Sequence, residues 1–133
     1  MDAERLAAIP LFAGLSRHDL ERVARLADEV DVPEGKRLLE EGRLPHEFFV
    51  VEEGRAVVSQ RDRWIAELGP GDFFGEIAIL AEERRTATVT AATPMRLIVM
   101  TDRDFREMAR TFPEVAERVL GAVRERLART AEG

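Results

Sequence analysis

Residues 74–91 read FGEIAILAEERRTATVTA. A glycine and a glutamate lead into the apolar run IAIL, an acidic turn leads to two arginines, and small hydroxyl and apolar residues then alternate. Alternation over TATVTA is the pattern of a half-buried strand, whose successive side chains point to opposite faces. The IAIL run, entered from the GPG of residues 69–71, predicts a single helical turn, since glycine lets the backbone bend sharply and approach a ligand. A helix start offers unpaired amides and a partial positive charge, which suits phosphate. Arg85 follows Glu76 by nine positions, at what the pattern makes the start of the strand. A guanidinium can grip two phosphate oxygens at once. An ionised carboxylate only accepts hydrogen bonds and suits a pair of sugar hydroxyls. Residue types alone thus allow two readings: a cradle for one phosphate and one ribose, or a surface turn with ordinary charges.

Outward from this stretch, residues 30–100 carry short apolar or alternating runs: DEVDV, KRLLEE, EFFVVEE, RAVVSQ, RWIAEL, TATVTA and RLIVM. Glycine turns at Gly35, Gly42, Gly54, Gly69 and Gly71 separate them. Many short strands at this spacing predict a sandwich or jelly roll. Helices flank it. Ser16 caps a helix whose apolar face is Leu20, Val23, Ala24 and Ala27, with Asp19 in its first turn and Leu15 stapled to Leu20. Thr101 or Asp102 caps a short helix over 104–110, and Pro113 opens another. The stripe of that last helix is Val115, Ala116, Val119, Leu120, Val123 and Leu127, with Glu114–Arg118 and Glu125–Arg129 as i, i+4 pairs. The fold class is therefore mostly β with flanking helices: a double-stranded β-helix (jelly roll) with N-terminal helices, one short helix after Gly75, and two C-terminal helices. One domain spans 1–133, helical over about 1–28, jelly roll over about 29–101, and helical again over about 102–130. Phe48, Phe49, Val50, Val51, Phe73 and Phe74 are assigned to the core, and Trp64 to packing.

Composition narrows the function classes. The chain has 133 residues, no cysteine, and a net charge of −6 from 26 acidic and 20 basic side chains. Disulfides, thiolate metal sites and a cysteine nucleophile are excluded. Affinity for nucleic acid rests on clustered cations, and here arginines are interleaved with glutamates, so no direct nucleic-acid partner is expected. No apolar run approaches bilayer length and the start MDAERLAAIP is no signal peptide, so a cytoplasmic location without membrane insertion is expected.

FGEIAIL, then four residues, then RTATVTA is similar to the phosphate-binding cassette of cyclic nucleotide-binding domains. These regulate cyclic-nucleotide-dependent kinases, gated channels and the catabolite activator protein. The resemblance extends over nearly the whole chain, from the leading helices to the closing pair. It implies a ligand site at Phe74, Gly75, Glu76, Ile77, Ala78, Arg85, Thr86 and Ala87. Gly75 and Ala78 would offer amides near the phosphate, Glu76 would bind the ribose 2′-hydroxyl, and Arg85 would pair with the cyclic phosphate. Thr86 and Ala87 would add phosphate or base contacts. Arg84 stands where many members have proline and is read as a solvated charge. Thr130 falls near a hydroxyl with which bacterial activators contact adenine.

The resemblance implies a non-catalytic sensor of cyclic AMP, with cyclic GMP as the alternative, that signals by moving its C-terminal helix. Rival readings are a degenerate interaction module without ligand, and a cupin-like metal enzyme, for which His18 and His46 supply too few histidines. The helix stripe either pairs with a twin in a homodimer or covers its own barrel. The effector lies in another segment or a partner protein, since no helix-turn-helix, kinase motif or channel segment occurs in these residues.

Overall fold

The computed structural model describes residues 1–132, and the side chains of residues 1–126. Helix α1 (Ala3–Ala7) and a 3-10 turn (Pro10–Phe12) lead to α2 (Arg17–Arg25). The Ser16 hydroxyl accepts from the Asp19 amide at 3.1 Å, so the predicted cap forms. Eight strands follow: β1 (Asp28–Val32), β2 (Arg37–Leu39), β3 (Glu47–Glu53), β4 (Ala56–Gln60), β5 (Arg63–Leu68), β6 (Phe73–Phe74), β7 (Thr88–Ala91) and β8 (Met95–Thr101). Helix α3 (Glu76–Ala81) sits between β6 and β7, and α4 (Asp102–Thr111) and α5 (Pro113–Glu132) close the chain. Thr101 caps α4 by accepting from the Asp104 amide at 3.1 Å.

The strands form two antiparallel four-stranded sheets, ordered β1-β8-β3-β6 and β2-β7-β4-β5. The central strands of the first sheet, β8 and β3, are buried on both faces, while β1 at its edge is largely exposed. On β3, Phe48 and Val50 join the helical core of Leu6, Phe12, Val23, Phe105 and Val115. Their neighbours Phe49 and Val51 point the other way, into a second core with Ala56, Val89, Ala91 and Leu97 between the sheets. This is why EFFVVEE reads as an unbroken apolar run: a strand covered on both sides has no polar face to alternate. The outer sheet keeps one face for solvent, so TVTA of β7 alternates between half-buried threonine and buried Val89 and Ala91. Gly54 holds the β3–β4 turn at φ 92°, and a Cβ there would meet the Pro94 carbonyl at 2.4 Å, so no other residue fits.

Three expectations need correction. Trp64 does not pack: it is 66% exposed. It lies on β5, the end strand of its sheet, beside a register shift at which Val58 pairs with Ala66 and Ser59 with Trp64, skipping Ile65. Arg118 does not pair with Glu114 but donates to the Leu11 carbonyl at 2.9 Å, tying α5 to the 3-10 turn. The α5 stripe also divides. Val115 and Val119 are buried and Val123 packs against the helical core, whereas Leu120 is 44% exposed. The side chain of Leu127 lies outside the described residues.

Candidate functional site

The site is built where β6 turns into α3. Gly75 is the N-cap of α3 at φ 96°, and a Cβ on it would approach the Glu47 carbonyl to 2.9 Å and the Arg85 guanidinium to 3.2 Å. Glycine is required here for both conformation and space. The turn delivers Glu76 into the interior at 0% exposure. One oxygen, Oε1, accepts from the Arg126 guanidinium of α5. The other, Oε2, is buried without a hydrogen-bond partner among the described residues. Burial pushes the Glu76 carboxyl above the usual carboxylate range; the Arg126 charge, its own backbone amide and Arg85 pull the other way without cancelling it.

Arg85 is buried too, at 6% exposure. It does not open a strand as the alternation suggests, because β7 begins three residues later at Thr88. Its guanidinium donates to the Gly75 carbonyl at 2.6 Å and the Glu47 carbonyl at 2.5 Å. Two of five N–H groups used this way leave three for a ligand. Burial lowers the Arg85 pKa, with the Glu76 and Glu47 carboxylates opposing. Its backbone is stitched to the loop before β3: the Arg85 amide donates to the Arg43 carbonyl at 2.8 Å, and the Gly42 amide to the Arg85 carbonyl at 2.9 Å. Arg85 opens onto a cavity of about 410 Å³, walled also by Leu38, Leu39 and Phe49. Its volume is within the range of small-molecule sites.

Glu76 and Arg85 are thus brought together through Gly75. The other predicted residues divide. Ala78 is buried in α3, while Gly75 and Ile77 are half-buried. Phe74 stacks on Phe49 with ring centroids 4.9 Å apart, which makes it a core residue. Thr86 is exposed and Ala87 half-buried, both in the loop before β7. The Thr130 side chain lies outside the described residues. Arg84, expected as a solvated charge, is exposed yet donates to the Gly42 carbonyl at 2.9 Å. His18 is exposed on α2, and His46 is exposed just before β3.

The residue that sequence reasoning missed is Arg126. Besides Glu76 it reaches the Phe73 carbonyl, and its guanidinium lies 5.1 Å from the centre of the Phe73 ring. A signal existed: 119, 123 and 126 share one helical face, so Arg126 continues the buried stripe. A cation there needs an acidic partner, and Glu76 is the one fully buried carboxylate among the described residues.

Comparison with known proteins bears on family and fold. The model of the cyclic nucleotide-binding domain matches residues 29–112. A cyclic nucleotide-gated potassium channel of Rhizobium etli is 36% identical over 121 residues, which are 91% of this chain and 34% of the channel. A cAMP-dependent protein kinase regulatory subunit of Eremothecium gossypii is 32% identical over 83% of this chain and 24% of the subunit. This chain therefore spans about a third of the channel and a quarter of the regulatory subunit. Among solved structures, the catabolite activator protein of Thermus thermophilus superposes with a TM-score of 0.81 at 27% identity, over 92% of this chain and 60% of that one. The family match runs from β1 through α4 and takes in both Glu76 and Arg85, and on that ground the chain belongs to the cyclic nucleotide-binding domain family.

Proposed function

We propose that this domain senses a cyclic nucleotide without catalysis and signals through α5. The observation that carries the reading is the Glu76 carboxylate, wholly buried with Oε2 lacking a donor among the described residues, one residue from the carbonyl that Arg85 holds. A buried acceptor without a donor is unfavourable by about 1–3 kcal/mol. A ribose 2′-hydroxyl supplies that donor. Arg85 then pairs its remaining N–H groups with the cyclic phosphate, aided by the amides of Gly75 and Ala78, with Thr86 and Ala87 at the edge of the site. Chemistry on the phosphate would need a metal or a placed base, and the site residues named here supply acceptor and cation alone.

Coupling to α5 follows from Arg126, which already holds Glu76 from that helix. A ribose at Glu76 shares or displaces this contact, so ligand and helix position are linked. The ligand moves the helix only by binding its two positions with different affinity. Cyclic AMP is the ligand of choice, with cyclic GMP the alternative. The effector is a further segment or a partner protein, and exposed Leu120 gives α5 an apolar contact for a twin.

Thermal melting tests the site. A ligand that binds only the folded state raises the midpoint with its concentration. Cyclic AMP should raise the wild-type midpoint progressively and leave that of Glu76→Ala nearly unmoved. Equal shifts in both proteins would place the ligand elsewhere.

A further inference from the structure

We propose that the mouth of the cavity beside Arg85 is a second anion subsite, built to take a further phosphate on the nucleotide. The proposal rests on the reading of Arg85 as the first phosphate group's partner, and concerns its neighbours. In a chain of net charge −6, this cavity is walled by Arg37, Arg43, Arg84 and Arg85 against the carboxylates of Glu40 and Glu47. Four guanidiniums facing two carboxylates leave a cationic surplus in a concave site, where low-dielectric walls focus the field.

Backbone bonds set two of these residues beside the cassette. Reciprocal bonds between Gly42, Arg43 and Arg85 fix the loop of Arg43 beside the cassette. Arg84 adds its own bond to the Gly42 carbonyl. Little else employs these charges. The only ion pair of Arg43 among the described residues is with Glu40, at 3.7 Å, beyond hydrogen-bond range. Arg84 spends one N–H on a carbonyl, and Arg37 has neither an ion pair nor a side-chain hydrogen bond among the described residues. Exposed, loosely engaged arginines that border the same cavity as a buried one suit a second phosphate: Arg85 takes the first group, and Arg43 and Arg84 take the next.

The test compares three adenine nucleotides by calorimetry: cyclic AMP, adenosine 5′-monophosphate, and adenosine 3′,5′-bisphosphate. The two open-ring probes share base and sugar and differ by one phosphate. Wild-type protein should bind the bisphosphate about tenfold tighter than the monophosphate, as two exposed charge contacts allow, with the advantage shrinking in salt. Arg43→Ala/Arg84→Ala, checked for an unchanged melting midpoint, should bring the two within about threefold. No advantage in the wild type, or one that survives the double substitution, overturns the subsite. Cyclic AMP reports separately on the sensor reading: its failure to bind, with the bisphosphate advantage intact, would overturn that reading and leave the subsite standing.

Discussion

Arg85 is a structural member as well as a ligand group. Its removal is expected to cost binding and fold alike, because the guanidinium also satisfies the carbonyls of Gly75 and Glu47. Arg85→Ala should weaken cyclic-nucleotide binding about a hundredfold, as a charged bidentate contact of roughly 3 kcal/mol implies. It should also destabilise the fold by about 2 kcal/mol in urea melts, from buried carbonyls left unpaired. A variant with unaltered stability would mean that those carbonyls find water. Glu76 makes a prediction of opposite kind. Its folded pKa is raised above the ordinary glutamate value of 4.5, so the folded state binds its proton more tightly than the unfolded state. The stability it contributes is present below about pH 4.5 and is lost as pH rises through the raised folded value. Wild type should therefore lose stability relative to Glu76→Gln across that window. The reverse slope would show that Arg126 overcompensates burial. Glu76 and Arg85 were legible as residues because their chemistry is specific. Arg126 was legible only as a cation continuing the buried stripe of Val119 and Val123, since nothing local names Glu76 as its partner.

The helices and strands were legible wherever one face is wet. Ser16 and Thr101 announce α2 and α4 by capping, and TATVTA announces β7 by alternation. Reading failed where tertiary context decides. Trp64 looks like a core residue, yet its strand ends a sheet, and no local pattern says which strand will have one neighbour. Likewise β6 is two residues long, held by pairing of Phe73 and Phe74 with Val50 and Phe49, and pairing cannot be seen in a dipeptide. In α5, no atom of another element among the described residues lies within 4 Å of where a Cβ on Gly121 would sit, so the glycine is a plain weakness in the helix. Gly121→Ala should stabilise the protein by about 1 kcal/mol, read as a melting midpoint a few degrees higher. A loss of stability would reveal a contact on that face. Arg126→Gln should push the Glu76 titration to still higher pH, because the larger of the opposing charges is removed. An unchanged titration would dissociate α5 from the site.

At the scale of the molecule, three layers place the site. Helices cover one face of the inner sheet, the outer sheet covers the other, and α3 interrupts the strands at β6 with α5 lying across it through Arg126. The jelly-roll layout was legible in the glycine-spaced runs, because short strands between turns admit few other packings. The reach of α5 back to the cassette was not, because a contact between residues 76 and 126 depends on how the whole barrel closes. This layout turns a local event into a signal: a ligand that engages Glu76 acts on the contact that seats the helix. Everything in the account depends on that ligand being a cyclic nucleotide. Titration calorimetry of the wild-type protein with cyclic AMP and with cyclic GMP tests it most directly. The account predicts saturable binding of one nucleotide per chain, tighter for cyclic AMP. No heat from either at millimolar concentration would contradict it.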